Sequence, residues 1–240
     1  MKPTVRLLRL PRLVFCHAVA LALVAPSLAR AEANDISPAE RAIFMDNQLA
    51  NIKPPITLHY DYRKSGSLEE AFEDKVHVKL AAQPDGSCCA ASVEFFSGAR
   101  RMNPPEVPGA QANPAILYFL ERDIREMERL TKGKANYFRK RIRMAVFQGA
   151  TLRHISLPYR GKPVAVREVS ITPYLDDPNR ARFEQLSNKR YVFLLASAVP
   201  GGLYGIRTRI DAPGADVPPL IVEEMFLDGA QPAAATTPTK

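Results

Sequence analysis

The feature that most constrains this fold is strict two-residue alternation, repeated between short turns. In ITLHYDYRK (56–64), Ile56, Leu58, Tyr60 and Tyr62 alternate with Thr57, His59, Asp61 and Arg63. In DKVHVKL (74–80), Val76, Val78 and Leu80 oppose Lys75, His77 and Lys79. Successive side chains of a strand point to opposite faces, so each segment reads as a strand with one buried face. Gln83-Pro84-Asp85-Gly86 supplies the dihedrals of a tight turn, and CCAASVEFF returns as a third strand. Links this short join antiparallel neighbours, because parallel strands need a crossover.

Helix signals punctuate the strands. Ser37, Pro38 and Glu40 form an N-cap, a first-turn proline and a capping-box glutamate, and Pro54-Pro55 stop that helix. Asn113-Pro114 opens a second helix, which runs to Gly133 with Leu117, Leu120, Ile124, Met127 and Leu130 at helical spacing. A third, short helix is expected from Asp177-Pro178 to Leu186. Strands are read at 137–148, 152–157 and 163–171, and again in KRYVFLLASAV, LYGIRTRI and LIVEEMFL. The predicted class is α+β: one large curved antiparallel sheet of about nine strands, open or closed into a partial barrel, covered by two or three helices.

The N-terminus has the layout of an export signal. Lys2, Arg6, Arg9 and Arg12 precede an apolar run from Leu13 to Ala25, and small residues around Ala31 offer a cleavage site. The run is shorter than the roughly 20 residues a spanning helix needs. The predicted division is a cleaved signal at 1–31, a single domain at 37–228 and a disordered tail at 229–240, in a periplasmic or secreted protein. Export also changes the charge balance. Of 33 basic residues five fall in the signal, leaving 28 against 25 acidic ones, a net of +3. That small excess, in that compartment, argues against nucleic acid as a partner, and no integral membrane segment is expected in the mature chain.

YFRKRIRMAVF (137–147) is the most basic stretch. Read as a strand, it places Phe138, Ile142, Met144 and Val146 on one face, with Lys140 interrupting them. Arg139, Arg141 and Arg143 stand in a row with Tyr137 on the other. Arg207 and Arg209 repeat a shorter row. Such rows need carboxylates, solvent or an anionic ligand. Glu168, Glu223 and Glu224 are the candidate protein carboxylates.

Of the three cysteines, Cys88 and Cys89 survive cleavage. Adjacent cysteines in a regular strand diverge, which favours two thiols or an intermolecular bond over a vicinal disulfide. A hairpin register that sets Asp61 opposite His77, near His59, would make a metal site or an acid–base pair. The chain carries no nucleophile elbow, zinc helix, phosphate loop or dinucleotide fingerprint, so no cofactor and no reaction class is assigned.

These observations lead to a non-enzymatic exported binding or carrier protein. Phe95, Tyr137 and Phe193 would line an apolar cavity for a lipid-like ligand, with the arginines meeting an anionic group at its rim. Parity sets those arginines opposite the apolar set, which weighs against one cavity using both. Two rival readings are an envelope interaction or assembly factor that docks an acidic partner through the arginine ladder, and a hydrolase or metal enzyme using His59, Asp61 and His77.

Overall fold

A computed structural model describes residues 36–214 and 216–232. The export signal read at 1–31 and residues 233–240 of the tail lie outside the described residues.

The strands are β1 (Ile56–Ser65), β2 (Phe72–Ala82), β3 (Cys88–Phe95), β4 (Thr151–Tyr159), β5 (Lys162–Ile171), β6 (Arg190–Leu195), β7 (Leu203–Ile210) and β8 (Ile221–Leu227). They form one sheet in the order β3-β2-β1-β8-β7-β6-β5-β4. Every neighbouring pair is antiparallel. The sheet is α+β in context, curved and not closed: β3 and β4 remain its edges. At the tip of the β4–β5 hairpin, Tyr159 bridges Ala230 beyond β8, far from its own place in the strand order. The proline-rich segment after β3 covers that edge through the bridges Ala91–Val107 and Phe95–Met102, which blunts its tendency to pair with another chain.

Among the described residues four α-helices accompany the sheet. α1 (Pro38–Glu40) continues as a π-helical turn, Arg41–Met45. Its cap is the expected one, with Ser37 Oγ accepting from the Glu40 amide at 3.0 Å. α2 (Pro114–Thr131) begins at Asn113, whose side chain accepts from the Ala115 amide. α3 (Ala135–Gln148) follows after three residues, with Lys132 in the left-handed conformation. α4 (Arg180–Phe183) is one turn long. α2 packs on β2 and β3, α3 packs on β5, and the two helices pack on each other.

The segment 137–148, expected to be a strand, is therefore a helix. Its buried residues are Phe138, Ile142 and Val146, spaced by four. On a helix they share one stripe, while Lys140 and Met144, on the same strand parity, point elsewhere and are exposed. Among the described residues eight strands result instead of nine.

Cys88 and Cys89 are joined to each other as a vicinal disulfide. The premise of a regular strand fails at that point. Ala81 pairs with Ala90 but Ala82 pairs with Cys88, a bulge that leaves Cys89 out of the ladder.

Candidate functional site

The arginines do not form a ladder. A helix turns 100° per residue, so Arg141 points away from Arg139 and Arg143, which lie one turn apart on the same face. Arg139 is ion-paired to Glu121 of α2. Arg141 reaches Asp177 Oδ2 at 2.7 Å, and Arg143 is exposed. Arg207 and Arg209 do share a strand face. Arg207 Nε lies 2.6 Å from Glu224, its partner in register, and Arg209 Nε lies 2.5 Å from Asp211. Glu168 is paired with Arg153.

Phe95 and Phe193 are fully buried on β3 and β6, with four strands between them. Both belong to the continuous apolar core. Tyr137 is half-buried on α3, where its hydroxyl donates to Asp177 at 2.6 Å and accepts from Asn179 at 2.9 Å. The three rings are thus not brought together. On the other face, His59 stands directly opposite His77, and Asp61 opposite Lys75. Lys75 Nζ holds Asp61 at 2.7 Å, so Asp61 does not join the histidines.

Sequence reasoning missed a different assembly, a network of charged groups beneath α2. Asp123 and Glu223 are fully buried and Lys189 is 1% exposed. Lys189 is ion-paired to Asp123, and its Nζ lies 3.6 Å from Glu223. Glu223 Oε1 accepts from Arg122 at 2.8 Å and from Tyr62 at 2.9 Å, and Oε2 accepts from Thr208 at 3.1 Å. Tyr191 donates to Asp123 Oδ2 at 2.6 Å. Nearer the surface, buried Lys64 donates to Glu126 at 2.7 Å. Arg129 bridges Glu126 and Glu69 at 2.9 and 2.7 Å.

The signal for this network was present as broken parity. Lys64 continues the inward set of Leu58, Tyr60 and Tyr62. Glu223 sits between Ile221 and Met225, Lys189 two residues before Tyr191, and Asp123 inside the apolar stripe of α2. A charged residue on a core-facing position must be paired inside the protein.

Burial pushes the Glu223 carboxyl up, but the attraction of Arg122 and Lys189 outweighs it and holds the group well below the usual carboxylate range. Burial alone would lower Lys189; Asp123 and Glu223 raise it instead. Burial likewise pushes Glu126 up, yet the hydrogen bonds from Arg129 and Lys64 prevail and bring it from 4.5 down to about 2.

A depressed carboxyl stabilises the fold above its unfolded value and loses that effect as pH falls towards its folded one. Glu126→Gln is therefore expected to destabilise the protein at pH 7 by about 1–3 kcal/mol. The gap from the native protein should close as pH falls from 4.5 towards about 2. Urea midpoints measured across that range check it, and a gap independent of pH would contradict it.

The network opens onto a cleft of about 350 Å³. Lys64, Arg100, Arg122 and Arg129 line it with Glu69, Glu70 and Glu126, so cations outnumber carboxylates by four to three. Phe72, Phe96 and Met102 provide apolar wall. The Arg100 guanidinium lies 4.3 Å over the Phe72 ring, and Arg122 sits 5.4 Å from the centre of Phe96. Arg100 has no carboxylate at ion-pairing distance among the described residues. Arg122 Nη1 is buried without a hydrogen-bond partner among them. A buried guanidinium donor left unpaired is costly, and a ligand oxygen is one way to satisfy it. A wider trough of about 610 Å³ lies between Arg63, Glu73, Lys75 and Glu224. Arg63 pairs there with Glu73, Lys75 with Asp61 and Glu224 with Arg207, while Asp74 accepts from the Lys75 and Ser97 amides.

No protein-family model matches the chain. No curated protein matches it. Among solved structures it is similar to the Mycobacterium tuberculosis lipoprotein LppX, at 8% identity over 75% of this chain and 89% of that one, with a TM-score of 0.30. It is also similar to the Pseudomonas aeruginosa MucA/MucB complex, at 11% identity over 76% of this chain and 54% of that one, with a TM-score of 0.30. No described helix is long and apolar enough to cross a membrane.

Proposed function

We propose that this chain is an exported, non-catalytic binding protein whose ligand is an anionic amphiphile seated in the cleft between α2 and the end of β1. Export rests on the N-terminal charge-then-apolar pattern. The ligand class rests on one observation above the others: Arg122 lines the cleft with a buried donor that no described residue satisfies. Arg100, without a carboxylate partner, adds a second cation at the rim. An acidic headgroup would take these two guanidinium groups. The apolar part of the ligand would lie against Phe72, Phe96 and Met102.

The acidic-partner reading, built on an arginine row, loses its geometric basis. Arg139 and Arg141 diverge on α3 and are spent on Glu121 and Asp177.

The test is calorimetric titration with dodecyl phosphate and with dodecyltrimethylammonium, both below their micellar range. Dodecyl phosphate should bind and the cationic amphiphile should not. Arg100→Gln removes an exposed, charge-assisted contact, so it should weaken dodecyl phosphate by about tenfold and leave thermal stability unchanged. Equal binding of both amphiphiles, or unchanged affinity in Arg100→Gln, would reject the proposal.

A further inference from the structure

The face of the sheet opposite the cleft carries a transverse row of polar side chains in register. On β2, His77 stands between Glu94 of β3 and His59 of β1. The Asp228 amide donates to the His59 carbonyl at 2.8 Å, which continues the row past β8. The two imidazoles meet edge to face at 77°, and their Nδ1 atoms are 2.8 Å apart. His59 is exposed and His77 partly so.

We propose that His59 and His77 form a binding site for a divalent transition-metal ion of tetragonal preference, Cu2+ above the others, through their two Nδ1 atoms. Simple geometry carries the choice of metal. Two nitrogens about 2.0 Å from one ion and at right angles to each other are about 2.8 Å apart. A tetrahedral angle at the same bond length spreads them to about 3.3 Å. The observed 2.8 Å, spanned by a hydrogen bond between the two Nδ1 atoms, matches adjacent corners of a square, and the metal would replace the proton they share. Square N,O coordination is the preference of Cu2+ and Ni2+, and Cu2+ leads the affinity order for such ligands.

The site is also held in place. His59 and His77 are directly paired on two hydrogen-bonded strands with neighbours on either side, so the backbone is set before the metal arrives. The surrounding cations are already engaged: Lys75 with Asp61 at 2.7 Å, Lys79 with Glu94 at 2.6 Å, and Arg160 with Asp228 at 3.6 Å. Arg101 also approaches Glu94, at 3.6 Å. Among the described residues no group of three or more His, Cys, Asp or Glu is arranged to hold a metal. The protein thus supplies two nitrogens, and water takes the open positions on the solvent side.

The test is a titration of the full chain with CuCl2 at neutral pH, followed by electron paramagnetic resonance. The expected result is one tight equivalent with a tetragonal signal split by two nitrogens. His59→Gln and His77→Gln should each weaken binding by at least about tenfold, as expected when one of two ligands is lost. His154→Gln should leave binding unchanged. A measurement on the unaltered chain stands beside these. Paramagnetic broadening by Cu2+ should centre on residues 57–61 and 75–79. Unaltered Cu2+ binding in the His59→Gln, His77→Gln double variant would overturn the site. So would broadening centred elsewhere, or Zn2+ binding as tightly as Cu2+.

Discussion

Glu223→Gln is expected to lower the folding stability at pH 7 by about 3–5 kcal/mol, the cost of breaking a buried ion pair by removing one partner. The substitution keeps side-chain volume, so packing is not the cause. Its effect is electrostatic. The side chain is fully buried and meets Arg122 at 2.8 Å and Lys189 at 3.6 Å. Without its charge, Asp123 is left as the one fully buried carboxylate facing both cations. The adjacent residue supplies the control. Glu224 points to the other face and pairs with half-buried Arg207 at 2.6 Å. Glu224→Gln should change stability by no more than about 1 kcal/mol. Urea denaturation of both variants makes the comparison. An Arg122→Met, Glu223→Gln double variant should lose less than the sum of the single changes, because each change removes the charge the other strands. Equal midpoints for Glu223→Gln and Glu224→Gln would show that the network carries no net stability.

Gly66→Ala is the second large effect. Gly66 has a φ of +131°, and a Cβ there would lie 2.2 Å from the backbone oxygen of Leu220. The obstacle is backbone, so it cannot rotate away. Next to it, the amides of Ser67 and Leu68 donate to the carbonyls of Pro219 and Leu220 at 3.1 and 3.0 Å. These bonds dock the loop that carries Glu69 to Arg129 and Lys64. The expected loss is more than about 2 kcal/mol, combining a strained dihedral with a steric clash. Proteolytic nicking within 66–71 should rise, and binding in the cleft should weaken with it. Gly86→Ala separates the two causes. Its φ of +81° is also left-handed, but nothing lies within 4 Å of the added carbon. It should cost only about 1–2 kcal/mol, the strain of the dihedral alone. Similar losses at both positions would show that the loop can shift to accept the clash.

Much of the sheet was legible because side-chain direction is a local property. Alternation in β1 and β2 follows from the pleat, and it persists in the structure as buried Leu58, Tyr60, Tyr62, Val76, Val78 and Leu80. Even the hairpin register was constrained. Any pairing that keeps those faces together must preserve parity, so the observed His59–His77 pairing differs by two residues from the one that would face Asp61 to His77. Parity could not choose between these two, because the loop at 66–71 sets the register.

The helix at 135–148 was not legible in the same way. Its sequence satisfies either period: Phe138, Ile142 and Val146 are spaced by four and also share even parity. Arbitration came from outside the segment, where three residues after α2 turn the chain back and Phe138 packs against Tyr174 and Phe183. The charged network shows the same division more strongly. The sequence by itself determined only that Lys64 and Asp123 fall on the apolar periods of β1 and α2. Only the tertiary structure decided that Lys189 meets Asp123 and Glu223, and that Arg122 keeps a donor unpaired among the described residues beside a cleft. Periodicity aims a side chain within its own element. Which charge it meets depends on how segments 34 to 161 residues apart come together, and a buried charge is settled by its partner.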